Sequence, residues 1–249
     1  MYKHAKYMYK HLILQYQLKK HIPMSKIKQL IFIFSAAVIT LTACTSSSDK
    51  AATTSEQEAA AATGKEYLAD INNSLVNWRA THKGGFAPRY GTLKIADGSI
   101  AVENGAVTGG SFTVDVNSLW VDSASVTEKD KKAINLQNHL KSPDFFDAAK
   151  YATAKFVVTG VAPYDSSRAK SLTDGATHLV SGNLTIKDST INITFPAKIR
   201  VSDSNVDIAA KFLVDRTSWG LRYGAEGNPA DWMVSKDFEL GLDVKATAK

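Results

Sequence analysis

The chain has 249 residues, enough for one sizeable domain with extensions, and its 44% hydrophobic and 22% charged residues are ordinary for a globular protein. Its formal charge of +6 is local: seven lysines fall in residues 1–43, which carry no Asp or Glu, so the remainder holds 23 basic residues against 24 acidic ones. No basic stripe is left for nucleic acid, and the single cysteine, Cys44, excludes an internal disulfide and a Cys/His zinc cluster.

From Met24 the sequence reads MSKIKQLIFIFSAAVITLTAC. Lys26 and Lys28 make a positive start, and Leu30 to Leu41 is an apolar run too short for a comfortable membrane span but suited to a cleaved signal peptide. Leu41-Thr42-Ala43-Cys44 resembles a bacterial lipobox, which implies removal of residues 24–43 and acylation of Cys44. Residues 1–23 then read as a start placed too early, or as an extended positive region. Thr45 after Cys44 is not the Asp that can retain lipoproteins at an inner membrane. The expected location is therefore the bacterial cell envelope, lipid-anchored, facing the periplasm or on the outer membrane.

Residues 44–72 open with a Ser-, Thr- and Ala-rich stretch that has little apolar surface to offset its ordering entropy, so they are expected to be a flexible tether. The domain proper is placed at 73–249. There the dominant signal has period two. Ile191-Ile193-Phe195-Ala197-Ile199-Val201, Val206-Ile208-Ala210-Phe212-Val214 and Phe238-Leu240-Leu242-Val244-Ala246 alternate with largely polar residues, as does Phe112-Val114-Val116. Further strands are predicted at 75–81, 91–95, 99–102, 154–161 and 178–187. Glu103-Asn104-Gly105 and Asp188-Ser189 read as tight turns, and Pro196 marks an edge, bulge or rim.

Thr127 with Asp130 three residues on predicts a helix start, with Ala133, Leu136 and Leu140 on one face and an end before Pro143. Some eight strands and one inserted helical segment predict an all-β, eight-stranded antiparallel barrel, with a two-sheet sandwich as the alternative.

Catalytic constellations are thin. His82, His139 and His178 have no helical metal spacing, and no HExxH, GxSxG, P-loop or GxGxxG occurs. His139, beside Phe145 and Phe146, reads as a packed helix-end residue. The chain is therefore expected to be no enzyme, with no cofactor and no metal. What remains is the barrel interior, lined by Phe112, Val114, Phe156, Val158, Phe195, Phe212 and Phe238. Such an interior either holds an apolar ligand or is simply a filled core.

Five pieces in order carry a resemblance over about Ser74 to Ala246. They are Leu75-Val76-Asn77-Trp78, Thr108-Gly109-Gly110-Ser111-Phe112, His139-Leu140-Lys141-Ser142-Pro143-Asp144-Phe145-Phe146, Gly182-Asn183-Leu184-Thr185-Ile186 and Asp215-Arg216-Thr217-Ser218-Trp219-Gly220. Together they resemble the YceI-like family. Asp188 stands where relatives often carry Gly, and Trp219 where they usually carry Phe. The resemblance implies a lipocalin-like barrel with an elongated pocket for a polyisoprenoid or similar long-chain lipid. Lys83, Arg89, Arg216 and Arg222 are then candidates for a phosphate head group at the mouth. An aromatic-lined mouth is also compatible with a homodimer. The alternative function is a structural or stress-related envelope lipoprotein with a filled barrel, acting through its outer surface.

Overall fold

This computed structural model describes residues 49–167, 170–225 and 234–249. Cys44, the signal segment 24–43 and residues 1–23 lie outside the described residues. Ten strands occur among those described: β1 (Ala52–Thr54), β2 (Lys65–Ala69), β3 (Leu75–Ala80), β4 (Arg89–Glu103), β5 (Ala106–Val121), β6 (Thr153–Pro163), β7 (His178–Ile186), β8 (Ser189–Val201), β9 (Asn205–Asp215) and β10 (Asp237–Ala248). From β4 to β10 each strand pairs antiparallel with the next. The ring closes because β2 and β3 both lie between β10 and β4, forming one interrupted stave. The result is a closed barrel of eight antiparallel staves, with β1 as an addition.

The period-two pattern sets which side chains face inward. Along β8, Ile193 and Phe195 are almost wholly buried inside, while Thr194 and Lys198 point away. The turn at Asn104-Gly105 is a two-residue hairpin with both residues at positive φ (52° and 78°), a conformation that Gly supplies without steric cost. The second turn centres on Lys187-Asp188, one residue earlier than expected, because Ile186 pairs with Ser189. The segments expected separately at 91–95 and 99–102 form the single strand β4, whose register shifts near Asp97 keep it paired with β5.

The helix, α1 (Ala133–Lys141), begins later than Thr127 and Asp130 suggested. The expected cap does not form: Lys132 occupies the N-cap position with an extended backbone and no side-chain hydrogen bond. The carboxylate of Glu128 is held instead by Arg89 and Lys131. Residues 127–132 offer nothing apolar to bury, and the helix starts only where its apolar stripe does. It ends before Pro143, as that residue's geometry requires.

A larger correction concerns the expected tether. Residues 49–63 are fastened along the barrel. The Ala51 amide donates to Leu213 O (2.8 Å), the Leu213 amide donates to Asp49 O (3.0 Å), and β1 pairs with Thr194, Ile193 and Asn192 of β8. Here β8 and β9 have parted, since their own pairing covers only Ala197 to Val201. The Thr173 side chain bridges the same seam beside Pro196, accepting from the Lys211 amide at 2.8 Å and donating to Pro196 O at 3.1 Å. Farther along, the strap passes over β7 at Asn183, reaches β6 where Ala60 N donates to Val158 O, and meets β5 at Thr108.

Asn183 and Asn192 explain how so plain a segment is held. Each alternates with an inward residue, Leu184 or Ile193, so both point outward, yet they are 7% and 4% exposed because the strap covers them. Asn183 accepts from Gln57 N (3.1 Å) and donates to Gln57 O (2.7 Å), while Asn192 donates to Asn183 and Thr159, each at 2.9 Å. Lys50 clips the strap's start to Asp237 (2.5 Å) and Asp215 (3.6 Å). Burial pushes the Asp215 carboxyl up, but hydrogen bonds from Thr217 and the charges of Lys50 and Lys236 outweigh it, leaving its pKa lowered. The stabilisation from this carboxylate is therefore present above the ordinary Asp range and is lost as pH falls through its lowered pKa. Asn183→Ala is expected to cost about 1–3 kcal/mol, since buried polar partners are left unpaired. Amide exchange at Gln57 and Ala60 should accelerate while that of β10 changes little.

Candidate functional site: an apolar cavity in the barrel

The inward faces of the staves do not fill the barrel. An upper chamber of about 520 Å³ lies beneath α1 and the Phe145–Phe146 turn, and a deeper one of about 110 Å³ lies among the core phenylalanines. Val76, Val114, Leu184 and Leu240 line both, so the chambers abut at a waist formed by these four side chains. Both are overwhelmingly apolar. The expected lining residues all face one chamber or the other. Phe238 lines the upper one, Phe112, Phe156, Val158, Phe195 and Phe212 the lower, and Val114 both.

Local sequence shapes the lower chamber. Phe156 lies against Gly182 on the neighbouring strand so closely that a Cβ there would come within 2.2 Å of the ring. Phe195 and Phe212 stack at 4.0 Å between centroids, with Phe156 tilted against Phe195 at 5.8 Å. The upper chamber is roofed by Leu136 and Leu140 of α1, which pack toward Leu119 and Val121 of β5. Phe145, buried, and Phe146 close one side.

The polar groups gather at the rim. His82, Asp130, Lys131, Lys132 and Asn135 border the upper chamber, and His139 reaches Asp144 at 2.9 Å while meeting the Phe145 and Tyr223 rings edge-on. Of the four head-group candidates, Arg89 borders the chamber but is engaged by Glu128 and donates to Ser125 O at 2.7 Å. Lys83 and Arg222 are exposed and outside the chamber wall.

Arg216 borders the chamber too, yet it is 4% exposed and its guanidinium donates to the carbonyls of Ser235 (3.0 Å), Val234 (3.0 Å) and Leu221. The structure thus gives Arg216 a bracing task in place of the expected head-group role. It ties the 3₁₀ turn Arg216–Trp219 to the entrance of β10. Lys131 and Lys132, which the sequence did not single out, are better placed at the rim. Their only signal was position, directly before the apolar stripe of α1.

The YceI-like domain model matches residues 67–246, nearly the whole barrel. The chain belongs to the YceI-like family. A UPF0312 protein of Ectopseudomonas mendocina is 29% identical over 187 residues, covering 74% of this chain and 81% of that protein. A UPF0312 protein of Azotobacter vinelandii is 30% identical, covering 74% and 80%. Protein YceI of Escherichia coli O6:H1 is 31% identical over 140 residues, which are 55% of this chain and 63% of that one. Among solved structures, BcnA of Burkholderia cenocepacia superposes with a TM-score of 0.53 at 18% identity, covering 72% of this chain and 99% of the other. At that identity the match speaks for the fold. A polyisoprenoid binding domain from Saccharophagus degradans aligns with a TM-score of 0.48 at 14% identity, covering 75% and 100%. The YceI-like fold is present here as an all-β closed barrel with one short α-helix, α1, among the described residues.

Proposed function

We propose that this YceI-like protein binds one long-chain apolar molecule, a polyisoprenoid or similar lipid, along the barrel axis, for carriage or sequestration at the cell envelope. The observation that carries the reading is the pair of abutting apolar chambers inside the closed sheet. A volume of about 520 Å³ is within the usual range for small-molecule sites, and the lower chamber extends it in the direction a tail would take. With 15 and 16 residues, β4 and β5 would each run about 50 Å at the usual rise per residue. Each methylene transferred from water contributes about 0.8 kcal/mol, so a long tail needs no polar recognition along its length. The filled-barrel alternative loses support for the same reason, because side chains leave this space empty.

Acylation of Cys44 would hold the barrel at a membrane, with removal of residues 24–43 as the preceding step. This part of the proposal rests on the lipobox sequence. No step of binding requires a catalytic group. The test is a titration of delipidated full-length protein with a polyisoprenoid alcohol, followed by quenching of intrinsic tryptophan fluorescence. One saturable equivalent per chain is expected. Linear, non-saturating partition would overturn the reading.

A further inference from the structure

We infer that the rim of the upper chamber is a docking surface for an anionic lipid bilayer, so that the barrel meets the membrane mouth first. Large apolar side chains stay exposed where the barrel walls should be dressed in polar ones. Phe86 is 72% exposed at the tip of the β3–β4 loop, and Trp120 is 48% exposed at the end of β5, with Tyr90, Ile134 and Tyr223 also exposed. Topology places them together. β3 ends, β4 begins and β5 ends at the same edge of the barrel; the Asp122 amide donates to Tyr90 O at 2.9 Å; and Ile134 lies on α1, whose residues roof the chamber. Tyr223 lines the chamber and packs on His139, closing the ring on the far side.

The loop bearing Phe86 is built to present it. His82 N donates to Phe86 O at 2.9 Å, and Gly84 and Gly85 both take positive φ at the tip.

Charge selects the partner. Lys131 and Lys132 border the chamber and are exposed, and Lys83 and Lys129, next in the chain to the rim residues His82 and Asp130, are exposed as well. The nearby carboxylates are Glu128, bonded to Arg89 and within 3.6 Å of Lys131; Asp130; Asp122, which accepts from the Ala124 amide at 2.9 Å; and Asp144, which meets His139 at 2.9 Å. Aromatic rings interleaved with lysines are the side-chain chemistry of a membrane interface, where amphipathic rings sit at headgroup depth and lysines meet anionic lipid. A second copy of this chain would present the same lysines and meet them with like charge. The arrangement also has a use. An apolar cavity opening within the docked ring lets a water-insoluble tail pass between bilayer and barrel without crossing water.

The test uses the full-length protein with vesicles of phosphatidylcholine, or phosphatidylcholine with 30 mol% phosphatidylglycerol, made with brominated acyl chains. Comparison with Trp120→Phe isolates the Trp120 fluorescence, so attachment through an acylated Cys44 is not itself scored. The Trp120 signal should be quenched by the brominated chains and shielded from aqueous acrylamide in the anionic vesicles. Lys131→Glu with Lys132→Glu should raise the lipid concentration needed for half-maximal quenching about tenfold or more. If Trp120 stays equally open to acrylamide with and without anionic vesicles, docking is overturned. Shielding that follows protein concentration regardless of lipid also overturns it, in favour of self-association. Uptake of isoprenoid by the same sample, measured separately, keeps a failure of docking distinct from a failure of ligand binding.

Discussion

Leu184→Trp is expected to cut the affinity for a long isoprenoid by about two orders of magnitude while leaving a ten-carbon isoprenoid bound within about threefold. Leu184 stands at the waist, lining both chambers, with Val76, Val114 and Leu240 around it. An indole there occupies the passage and confines any tail to the upper chamber. Excluding three or four methylene-sized units at about 0.8 kcal/mol each removes roughly 3 kcal/mol of binding, hence the size of the effect. The fold should tolerate the change better than a filled core would, at a cost of about 1–3 kcal/mol for overpacking, because the waist borders empty space. Titrating both ligands against the variant and wild type decides the matter. Equal losses for the two would place the tail elsewhere, and no loss for either would remove the lower chamber from the binding path.

Arg216→Ala is expected to destabilise the barrel by about 3 kcal/mol or more, lowering the melting temperature by roughly 6–12 °C for a domain of this size. The guanidinium is almost wholly buried and donates to three main-chain carbonyls, of Leu221, Val234 and Ser235. Its own amide donates to Lys236 O at 2.9 Å. Removing it leaves carbonyls without their donors in a place that water reaches poorly. It also loosens the turn that seats Trp219, whose indole donates to Leu184 O at 2.9 Å. Arg216→Lys should recover less than half the loss, since one ammonium cannot reproduce a planar fork reaching three acceptors. Urea unfolding of the three proteins measures this. A loss below 1 kcal/mol for Arg216→Ala would free the guanidinium from structural duty and return it to the head-group candidates.

Most of the staves were legible because each carries its own record of which face is dry, whereas β2 (Lys65–Ala69) fell within the expected tether and β4 was read as two strands. Ile193 and Phe195 alternate with Asn192 and Thr194, and the hydrophobic effect acts on that alternation directly. The Asn104-Gly105 turn was legible because its backbone needs residues that tolerate positive φ. The strap was not, for an equally physical reason. Residues 49–63 are held mainly by main-chain hydrogen bonds to Leu213, Val158 and the Asn183 side chain, and such bonds leave almost no mark on composition. The buried Asn183 and Asn192 were a clue, since outward-facing Asn in adjacent strands imply a polar cover once burial is known.

The lining phenylalanines could be chosen from alternation alone, but alternation does not say whether a core is full. That depends on how widely the ring is closed. The positive groups at the mouth were the least legible. Arg216 and Lys131 are equally charged in sequence, and only the fold sends one among carbonyls and the other to the rim, where its side chain is 66% exposed.

Whether the hollow barrel holds a long apolar molecule is read by mass spectrometry of an organic extract of the full-length protein purified from its producing cells. A single class of isoprenoid-like lipid, near one per chain and absent from the extract of Leu184→Trp, is the predicted result. An extract free of lipid from a protein with an intact β-sheet circular dichroism spectrum, which stays lipid-free after exposure to isoprenoids, would contradict the account.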